Sequence, residues 1–190
     1  ITRDNPDDKE HFGKEISLKI YDRQEIAAGQ SRYQIAQQPK YAAKTNMLST
    51  RRGDFILLIN GMPLIHVELK KSGIPVSQAY NQIEKYSHEG VFTGLFSLVQ
   101  VFVAMNPEET VYFANPGPDG RFNTDFYFHW ADFNNERIND WKVLASTLLS
   151  IPMAHQLIGF YTVADDTDGI LKVMRSHQYY AANKISDTVA

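Results

Sequence analysis

Two strand-length hydrophobic runs joined by a turn dominate the early part of the chain. Both runs are rich in Ile, Leu and Val, and they meet at Asn60-Gly61, the dipeptide most typical of a β-hairpin. Charged residues stand at the outer ends of the runs, with Asp54 on one and Glu68 and Lys70 on the other. Because a hairpin brings the outer ends of its strands together, the pattern predicts that these three side chains lie at one end.

The geometry of the turn decides whether Asp54 shares a sheet face with Glu68. Side chains alternate along a strand, so Glu68 and Lys70 share one face. A strict two-residue loop would pair Asp54 with Val67 and set it on the other face from Glu68. A three-residue loop, with the turn glycine in a left-handed bulge position, would pair Asp54 with His66 and collect all three charges on one face. A joint site therefore requires an odd-length loop or a bulge.

The remaining hydrophobic pattern predicts a mixed α/β chain. Helical spacing over residues 77–89 places Ala79, Ile83 and Tyr86 on one stripe. An uninterrupted apolar run over residues 98–105 is typical of a central strand covered on both faces. Further strands are predicted over residues 16–21, 110–114 and 125–129, and further helices over residues 136–150 and from about residue 175.

Composition limits the kind of protein. The chain has 190 residues, 43% of them hydrophobic, which is enough for one good core and for one domain with a trailing piece of a second. It has no cysteine, so disulfides and cysteine-based zinc sites are excluded. Without a signal-peptide pattern or an apolar run of membrane-spanning length, we expect a cytoplasmic protein with no membrane partner.

Charge is informative locally rather than globally. The net charge is only -3, which does not by itself indicate a nucleic-acid partner. Between Glu25 and Asp54, however, there is no acidic residue, whereas Lys and Arg accumulate. This segment could contact DNA phosphates or could be a solvated loop kept soluble by its charge. Arg51, Arg52 and Lys71 are the best phosphate candidates because they flank the hairpin site, and such contacts position DNA without recognising its sequence.

The hairpin residues have the chemistry that phosphodiester hydrolysis needs. Two carboxylates, Asp54 and Glu68, suit Mg²⁺, which is usually held by one or two protein carboxylates, and the backbone carbonyl of Leu69 is a plausible further ligand. Lys70 would orient or deprotonate the attacking water and offset phosphate charge. The alternative is a set of ordinary solvated strand-end charges. Glu68 argues against that alternative, because it interrupts a run that otherwise looks buried on both faces.

Three segments of the sequence together resemble a known family: residues 58–71, residues 81–86 and residues 173–181. In this order and spacing they resemble the N-terminal endonuclease region of the motor (R) subunit of type I restriction enzymes, a branch of the PD-(D/E)XK nucleases. The match runs from about Gly53 to the C-terminus. The resemblance implies a restriction-endonuclease-like core, with a mixed central sheet flanked by helices.

The resemblance also implies a domain division and further site residues. The endonuclease domain would occupy residues 1–170, with residues 1–31 poorly assigned, and residues 171–190 would begin the helicase-like motor. Gln82 and Tyr86 match the glutamine and tyrosine that support cleavage in the family by positioning DNA or the metal ligands. Some nucleases of the superfamily add a glutamate from an upstream helix. No glutamate here lies in a matching pattern, so we expect that helix to lie upstream of this chain.

The activity implied by the resemblance is that of a larger assembly. The family cuts double-stranded DNA with Mg²⁺, or with Mn²⁺, after ATP-driven translocation by the adjoining motor, in complex with methyltransferase (M) and specificity (S) subunits. Arg175 and Gln178 would contact adenine in the full motor. The sequence has no GxxxxGK[ST] loop, so ATP is expected to serve the full-length subunit and not this chain alone. Two alternatives stay open: a repair-type nuclease of the same superfamily, and a non-catalytic DNA-binding or docking module.

Overall fold

The computed structural model describes residues 2–15, 31–41, 50–118 and 120–189. Its strands, in chain order, are β1 (Tyr33–Gln37), β2 (Lys40–Tyr41), β3 (Arg51–Arg52), β4 (Phe55–Ile59), β5 (Met62–Leu69), β6 (Val101–Asn106), β7 (Glu109–Ala114), β8 (Thr162–Ala164) and β9 (Leu171–Val173). Its α-helices are α1 (Ser77–His88), α2 (Trp141–Thr147), α3 (Ile151–Phe160) and α4 (Ser176–Val189). Short 3₁₀ turns occupy Gly94–Leu98 and Thr124–Phe126.

A five-stranded mixed sheet in the order β1-β4-β5-β6-β7 forms the centre of the fold. Only the β5–β6 pair in this sheet is parallel, and α1 supplies the crossover that such a pair needs. The β2–β3 and β8–β9 pairs form separate two-stranded ribbons. The mixed α/β architecture predicted from the sequence, with a restriction-endonuclease-like core, is confirmed.

Helices cover both faces of the sheet, and strand alternation divides the core accordingly. On β6, Phe102 and Ala104 face the layer of α1, where they pack against Ile83. Val101 and Val103 face the other layer, which is supplied by α2, α3 and the C-terminal segment. Because all six residues of β6 are buried, this strand is the central one expected from its apolar sequence.

The hairpin contains the irregularity that a joint site requires. Asn60 and Gly61 form a two-residue turn with positive φ angles of 52° and 82°, the conformation for which Asn-Gly is favoured. Leu58 pairs with Pro63, but Leu57 pairs with Ile65, so one extra residue bulges from β5. The prediction of an odd loop or a bulge is therefore confirmed.

The position of the bulge differs from the expected glycine position. The extra residue is Leu64, and both it and Ile65 are buried in the same core cluster. A bulge lets two consecutive apolar side chains enter one core layer, which regular alternation forbids. Beyond the shift Phe55 pairs with Val67, so the register carries Asp54 level with Glu68. The proposed pairing of Asp54 with His66 is therefore wrong, although the shared face is retained.

Two of the predicted elements were wrong in detail. Residues 125–129 do not form a strand, because the chain there makes a 3₁₀ turn and bridges β7 only through Phe128. The helix predicted over residues 136–150 begins only at Trp141, where the side chain of Asp140 caps the first turn. A second helix, α3, follows at once, with a proline in its first turn where proline is tolerated.

The other predictions have mixed outcomes. Strand β7 and helix α4 lie where the sequence placed them. The apolar run at residues 98–105 begins with the end of a 3₁₀ turn, and its strand, β6, starts at Val101. The strand predicted over residues 16–21 lies outside the described residues.

The C-terminal segment packs against the sheet layer of α2 and α3. The hydroxyl of Tyr112, on β7, donates to the carbonyl of Met174 at 2.8 Å, and the ring of Tyr179 lies 5.6 Å from that of Trp130. The division at residues 170 and 171 stays a prediction. Within the described ranges, no helix is both long and apolar enough to cross a bilayer.

Candidate active site

The hairpin and the start of the following loop bring the two predicted carboxylates together. The backbone N–H of Leu69 donates to Oδ2 of Asp54 at 2.6 Å, which fixes the Asp54 side chain beside the end of β5. Glu68, one residue earlier on β5, occupies the sheet face that also carries α1. Burial raises the pKa of Glu68, and the negative charge of Asp54 adds to this rise, as expected of two neighbouring carboxylates.

Glu68 is almost fully buried, with 2% of its surface exposed. Its Oε1 accepts a hydrogen bond from the amide of Gln82 and lies 3.8 Å from Nζ of Lys70. Burial is the main cause that raises the pKa of Glu68 above its ordinary value, while His66 and Lys70 oppose the shift. The negative charge of an ionised Glu68 is only partly compensated by these protein groups, so the site favours an added cation.

Gln82 links the site to α1. Its Oε1 accepts from Nζ of Lys70 at 2.5 Å, and its amide nitrogen donates both to Glu68 and to the hydroxyl of Tyr86, the latter at 2.7 Å. Tyr86 lies one helical turn further along and donates to the carbonyl of Arg52 at 3.0 Å. The structure thus brings Asp54, Glu68, Lys70, Gln82 and Tyr86 together. Their catalytic roles stay predictions.

His66 and Tyr41 complete the buried side of the site, and no sequence pattern indicates that they are paired. The hydroxyl of Tyr41 lies 2.9 Å from Nδ1 of His66, and Nε2 of His66 lies 3.4 Å from Oε2 of Glu68. Neither His66 nor Tyr41 was predicted from the sequence as a site residue. The contact spans 25 residues of sequence. No local periodicity could have revealed it.

Gly53 makes room for this pair. A Cβ at residue 53 would stand 2.6 Å from Cε1 of His66 and 2.8 Å from the hydroxyl of Tyr41. Both are closer than real Cβ contacts, so a side chain there would have to displace the ring or the hydroxyl. The residue before Asp54 is therefore constrained to glycine by packing.

The donor set fits a hard divalent cation. Within the described ranges, no group of three or more His, Asp or Glu side chains is placed to hold a metal. Mg²⁺ does not need one, because it keeps several waters and is usually bound by one or two carboxylates. Asp54 and Glu68 supply that pair, and the backbone carbonyl of Leu69 follows directly in the same strand. The buried, poorly compensated Glu68 is the observation that makes the fit specific.

The predicted phosphate contacts have different surroundings. Arg51 makes a bidentate ion pair with Glu89, with Nε at 2.6 Å and a terminal nitrogen at 2.7 Å from the carboxylate oxygens. The side chains of Arg52 and Lys71 are exposed beside the site. Arg51 would therefore have to exchange its carboxylate partner for a phosphate, whereas Arg52 and Lys71 are already at the surface.

Arg175 and Gln178 lie away from the carboxylates. Gln178 accepts from the backbone N–H of Arg175 at 2.9 Å, and the Arg175 guanidinium lies 4.6 Å from the centre of the Phe128 ring. Both side chains line a cavity of about 730 Å³ whose walls include several aromatic residues but none of the five predicted catalytic residues. The adenine contact of these two residues stays a prediction.

Comparison with known proteins identifies the family. A family model described as type I restriction enzyme R protein N terminus matches residues 3–121. The type I restriction enzyme endonuclease subunit of Staphylococcus aureus strain COL is 37% identical over 134 residues, covering 70% of this chain and 14% of that protein. The corresponding subunit of Staphylococcus saprophyticus is 32% identical over 185 residues, covering 97% of this chain and 19% of that protein.

A third relative comes from Escherichia coli. The endonuclease subunit of the type I restriction enzyme EcoprrI is 32% identical over 175 residues, covering 91% of this chain and 54% of that protein. The chain thus spans between about a seventh and about a half of the length of these relatives. The match favours the restriction subunit over a repair-type nuclease. The chain belongs to the family of type I restriction enzyme R proteins, as their N-terminal region.

Proposed function

We propose that this chain is the Mg²⁺-dependent endonuclease domain of a type I restriction enzyme R subunit, and that it hydrolyses phosphodiester bonds of double-stranded DNA. The supporting observation is the bulge in β5, which sets Asp54 level with the buried Glu68 while Lys70 shares the same face. The names of the relatives, each an endonuclease subunit, support the same reaction class.

Each protein group has a distinct task in this proposal. Asp54, Glu68 and the Leu69 carbonyl would hold Mg²⁺, or Mn²⁺ in its place, which when bound lowers the pKa of a water and stabilises charge on the phosphate. Lys70 orients that water, assists its deprotonation and offsets phosphate charge. Gln82 fixes the amine of Lys70 relative to Glu68 through its two hydrogen bonds.

Tyr86 and the basic residues act around this centre. Tyr86 anchors the Gln82 amide to the carbonyl of Arg52, which ties α1 to the segment that leads into Asp54. Arg52 and Lys71 contact DNA phosphates from the exposed rim, and Arg51 joins them on releasing Glu89. Because phosphate contacts carry no base information, this domain cuts without recognising a sequence.

The remaining activities belong to a longer protein. We propose that the full-length subunit uses ATP to translocate DNA before cleavage, in a cytoplasmic complex with methyltransferase and specificity subunits. Arg175 and Gln178 would meet adenine there, and the aromatic cavity that they line is of a size and character suited to a nucleobase.

Asp54→Asn tests the metal role in the full subunit assembled with its partners. We expect the Mg²⁺ concentration for half-maximal plasmid nicking to rise by about tenfold or more, equivalent to ~1.4 kcal/mol of binding free energy, because one of two carboxylate ligands loses its charge. The matched control is Asp166→Asn, an aspartate in the exposed turn before β9. An unchanged Mg²⁺ dependence in Asp54→Asn, with nicking intact, would contradict the proposal.

A further inference from the structure

His66 stands between Tyr41 and Glu68 in a fully enclosed position. Its side chain has no exposed surface, and the rings of Phe92 and Phe102 contact it edge-on at centroid distances of 5.3 Å and 6.1 Å. Gly53 leaves no spare volume next to its Cε1 atom. The imidazole plane is therefore fixed by packing, so its two nitrogens point in set directions.

The two nitrogens have different partners. Nδ1 lies at hydrogen-bond distance from the Tyr41 hydroxyl, at 2.9 Å. Nε2 faces Oε2 of Glu68 at 3.4 Å, and within the described ranges neither of these two buried atoms has a hydrogen-bond partner. Buried polar atoms of this kind are rarely left unpaired. The two atoms therefore form a close contact that lacks hydrogen-bond alignment.

Proton placement follows from the charge on Glu68. A Glu68 that holds a cation is deprotonated and can only accept hydrogen bonds. Nε2 of His66 must then carry the hydrogen, and in a neutral imidazole Nδ1 becomes the acceptor. The Tyr41 hydroxyl, which can donate, satisfies that acceptor. One arrangement of hydrogens therefore satisfies Tyr41, His66 and the ionised Glu68 together.

We propose that His66, held in its Nε2–H form by Tyr41, is a positioning residue that orients the Glu68 carboxylate for the metal ion. The inference rests on the proposed function, because His66 can orient a metal ligand only if Glu68 binds the metal ion. Nε2–H takes one lone pair of Oε2, while Gln82 and Lys70 hold Oε1. The carboxylate plane is fixed from both sides, and the remaining lone pairs are left for the cation. Such outer hydrogen bonds commonly contribute tenfold to a hundredfold to metal affinity.

The fold supplies a matched control pair on the other side of the sheet. His155, on α3, is also fully buried, and its Nδ1 lies 2.8 Å from the hydroxyl of Tyr33. This second tyrosine–histidine pair lies in the layer of α2 and α3, not in that of α1. Substitutions at His155 and Tyr33 therefore disturb packing of the same kind without touching Glu68.

The test measures Mn²⁺ binding by calorimetry to the folded chain, without DNA, with thermal unfolding recorded for every variant. We expect His66→Leu to weaken Mn²⁺ binding by about tenfold to a hundredfold. Tyr41→Phe should weaken it less, because the ring of His66 stays but its preferred hydrogen position is lost. His66→Gln should restore much of the affinity, since its amide can donate from near the position of Nε2. His155→Leu and Tyr33→Phe should bind as the wild type does, whatever their loss of thermal stability.

A second measurement observes the hydrogen itself. Long-range ¹H–¹⁵N correlation spectra of the histidine rings distinguish Nε2–H from Nδ1–H. We expect Nε2–H for His66 when a diamagnetic Mg²⁺ is bound. An Nδ1–H form in the Mg²⁺-bound chain, or wild-type Mn²⁺ affinity in a folded His66→Leu variant, overturns the inference. If His66→Leu does not fold, Tyr41→Phe and the spectra decide. Absence of Mn²⁺ binding by the wild-type chain would instead refute the metal site of the proposed function, so the two failures are distinguishable.

Discussion

Lys70→Ala will reduce plasmid cleavage by the assembled full-length subunit by about 10²–10⁴-fold, the range that a positioned acid–base group contributes. Its ATP hydrolysis should stay near the wild-type rate, because Lys70 lies far along the chain from the predicted adenine contacts. Lys70 is 20% exposed and its amine is bound to Gln82, but it also lies 3.8 Å from the buried Glu68 and offsets that charge, so the metal-free variant should lose some stability. The measurement is single-turnover nicking at saturating Mg²⁺.

The control for this substitution is Lys85→Ala. Lys85 lies on α1 with an exposed side chain, and its replacement removes the same charge at a distance from the carboxylates. It should leave cleavage unchanged. Lys70→Arg separates the two tasks of the amine, since an arginine keeps the charge but cannot be deprotonated. Full cutting by Lys70→Ala with normal ATP hydrolysis would refute the assigned role.

Glu68→Gln will abolish Mn²⁺ binding and cleavage, yet the metal-free protein should become more stable near neutral pH by about 0.5–2 kcal/mol. The substitution keeps the shape of the side chain but removes a charge that is buried. Its amide can accept from Gln82 and donate to Nε2 of His66, which then passes its hydrogen to the Nδ1 side facing Tyr41. The variant therefore retains a satisfied network while it loses a metal ligand.

The pH dependence of stability follows from the same carboxylate. Burial raises the pKa of Glu68 above its ordinary value of 4.5. Over the interval between 4.5 and that raised pKa, the folded state binds more protons than the unfolded state, so stability falls as pH increases. At pH values above the raised pKa, Glu68 is ionised in both states and its burial destabilises the folded state fully. At pH values below 4.5, Glu68 is protonated in both states and this destabilisation is absent. Glu68→Gln should lack this decline.

Urea unfolding of the metal-free chain between about pH 4 and pH 8 measures this decline in stability, because that range brackets the titration of the carboxylate. Glu84→Gln, on α1, is the control, because it also removes one glutamate charge but keeps an acceptor for the hydroxyl of Tyr127. Its curve should follow that of the wild type. Adding Mn²⁺ should stabilise the wild type and Glu84→Gln but not Glu68→Gln. Equal stabilisation of Glu68→Gln by Mn²⁺ would exclude Glu68 as a ligand.

Local sequence signals were sufficient for the parts of the fold that depend on neighbouring residues. The Asn60-Gly61 turn, the stripe on α1 and the apolar strand β6 each follow from periodicity or turn chemistry within one segment. The need for a bulge could also be derived, because strand alternation makes it a geometric condition for Asp54 and Glu68 to share a face.

Features that depend on packing between distant segments could not be derived. The bulge lies at Leu64 because two adjacent apolar residues enter one core layer. The sequence alone does not show which core layer these two side chains enter. Residues 125–129 alternate like a strand, but at the outer edge of β7 they form only the bridge between Phe128 and Tyr112. The ring of Tyr127 instead stacks on that of Phe113, with centroids 3.9 Å apart. The aromatic pattern is satisfied by stacking rather than by strand pairing.

The candidate site divides in the same way. Asp54, Glu68 and Lys70 were found from their places at the strand ends, and Gln82 and Tyr86 were found only through a family resemblance. Tyr41 and His66 were missed as a pair because their contact spans distant segments and their partner, Glu68, is defined by burial. A buried histidine two residues from a buried carboxylate on the same strand face was the one available signal.

Anomalous diffraction from crystals of the chain soaked in Mn²⁺ tests the central claim most directly, because it locates the ion without relying on activity. We predict one strong peak bounded by the carboxylates of Asp54 and Glu68 and the carbonyl of Leu69, and no peak there in Glu68→Gln crystals treated alike. Metal–oxygen distances should be about 2.0–2.3 Å, as for small divalent cations bound by oxygen. A wild-type crystal that shows saturated Mn²⁺ elsewhere and none between these residues would contradict the account.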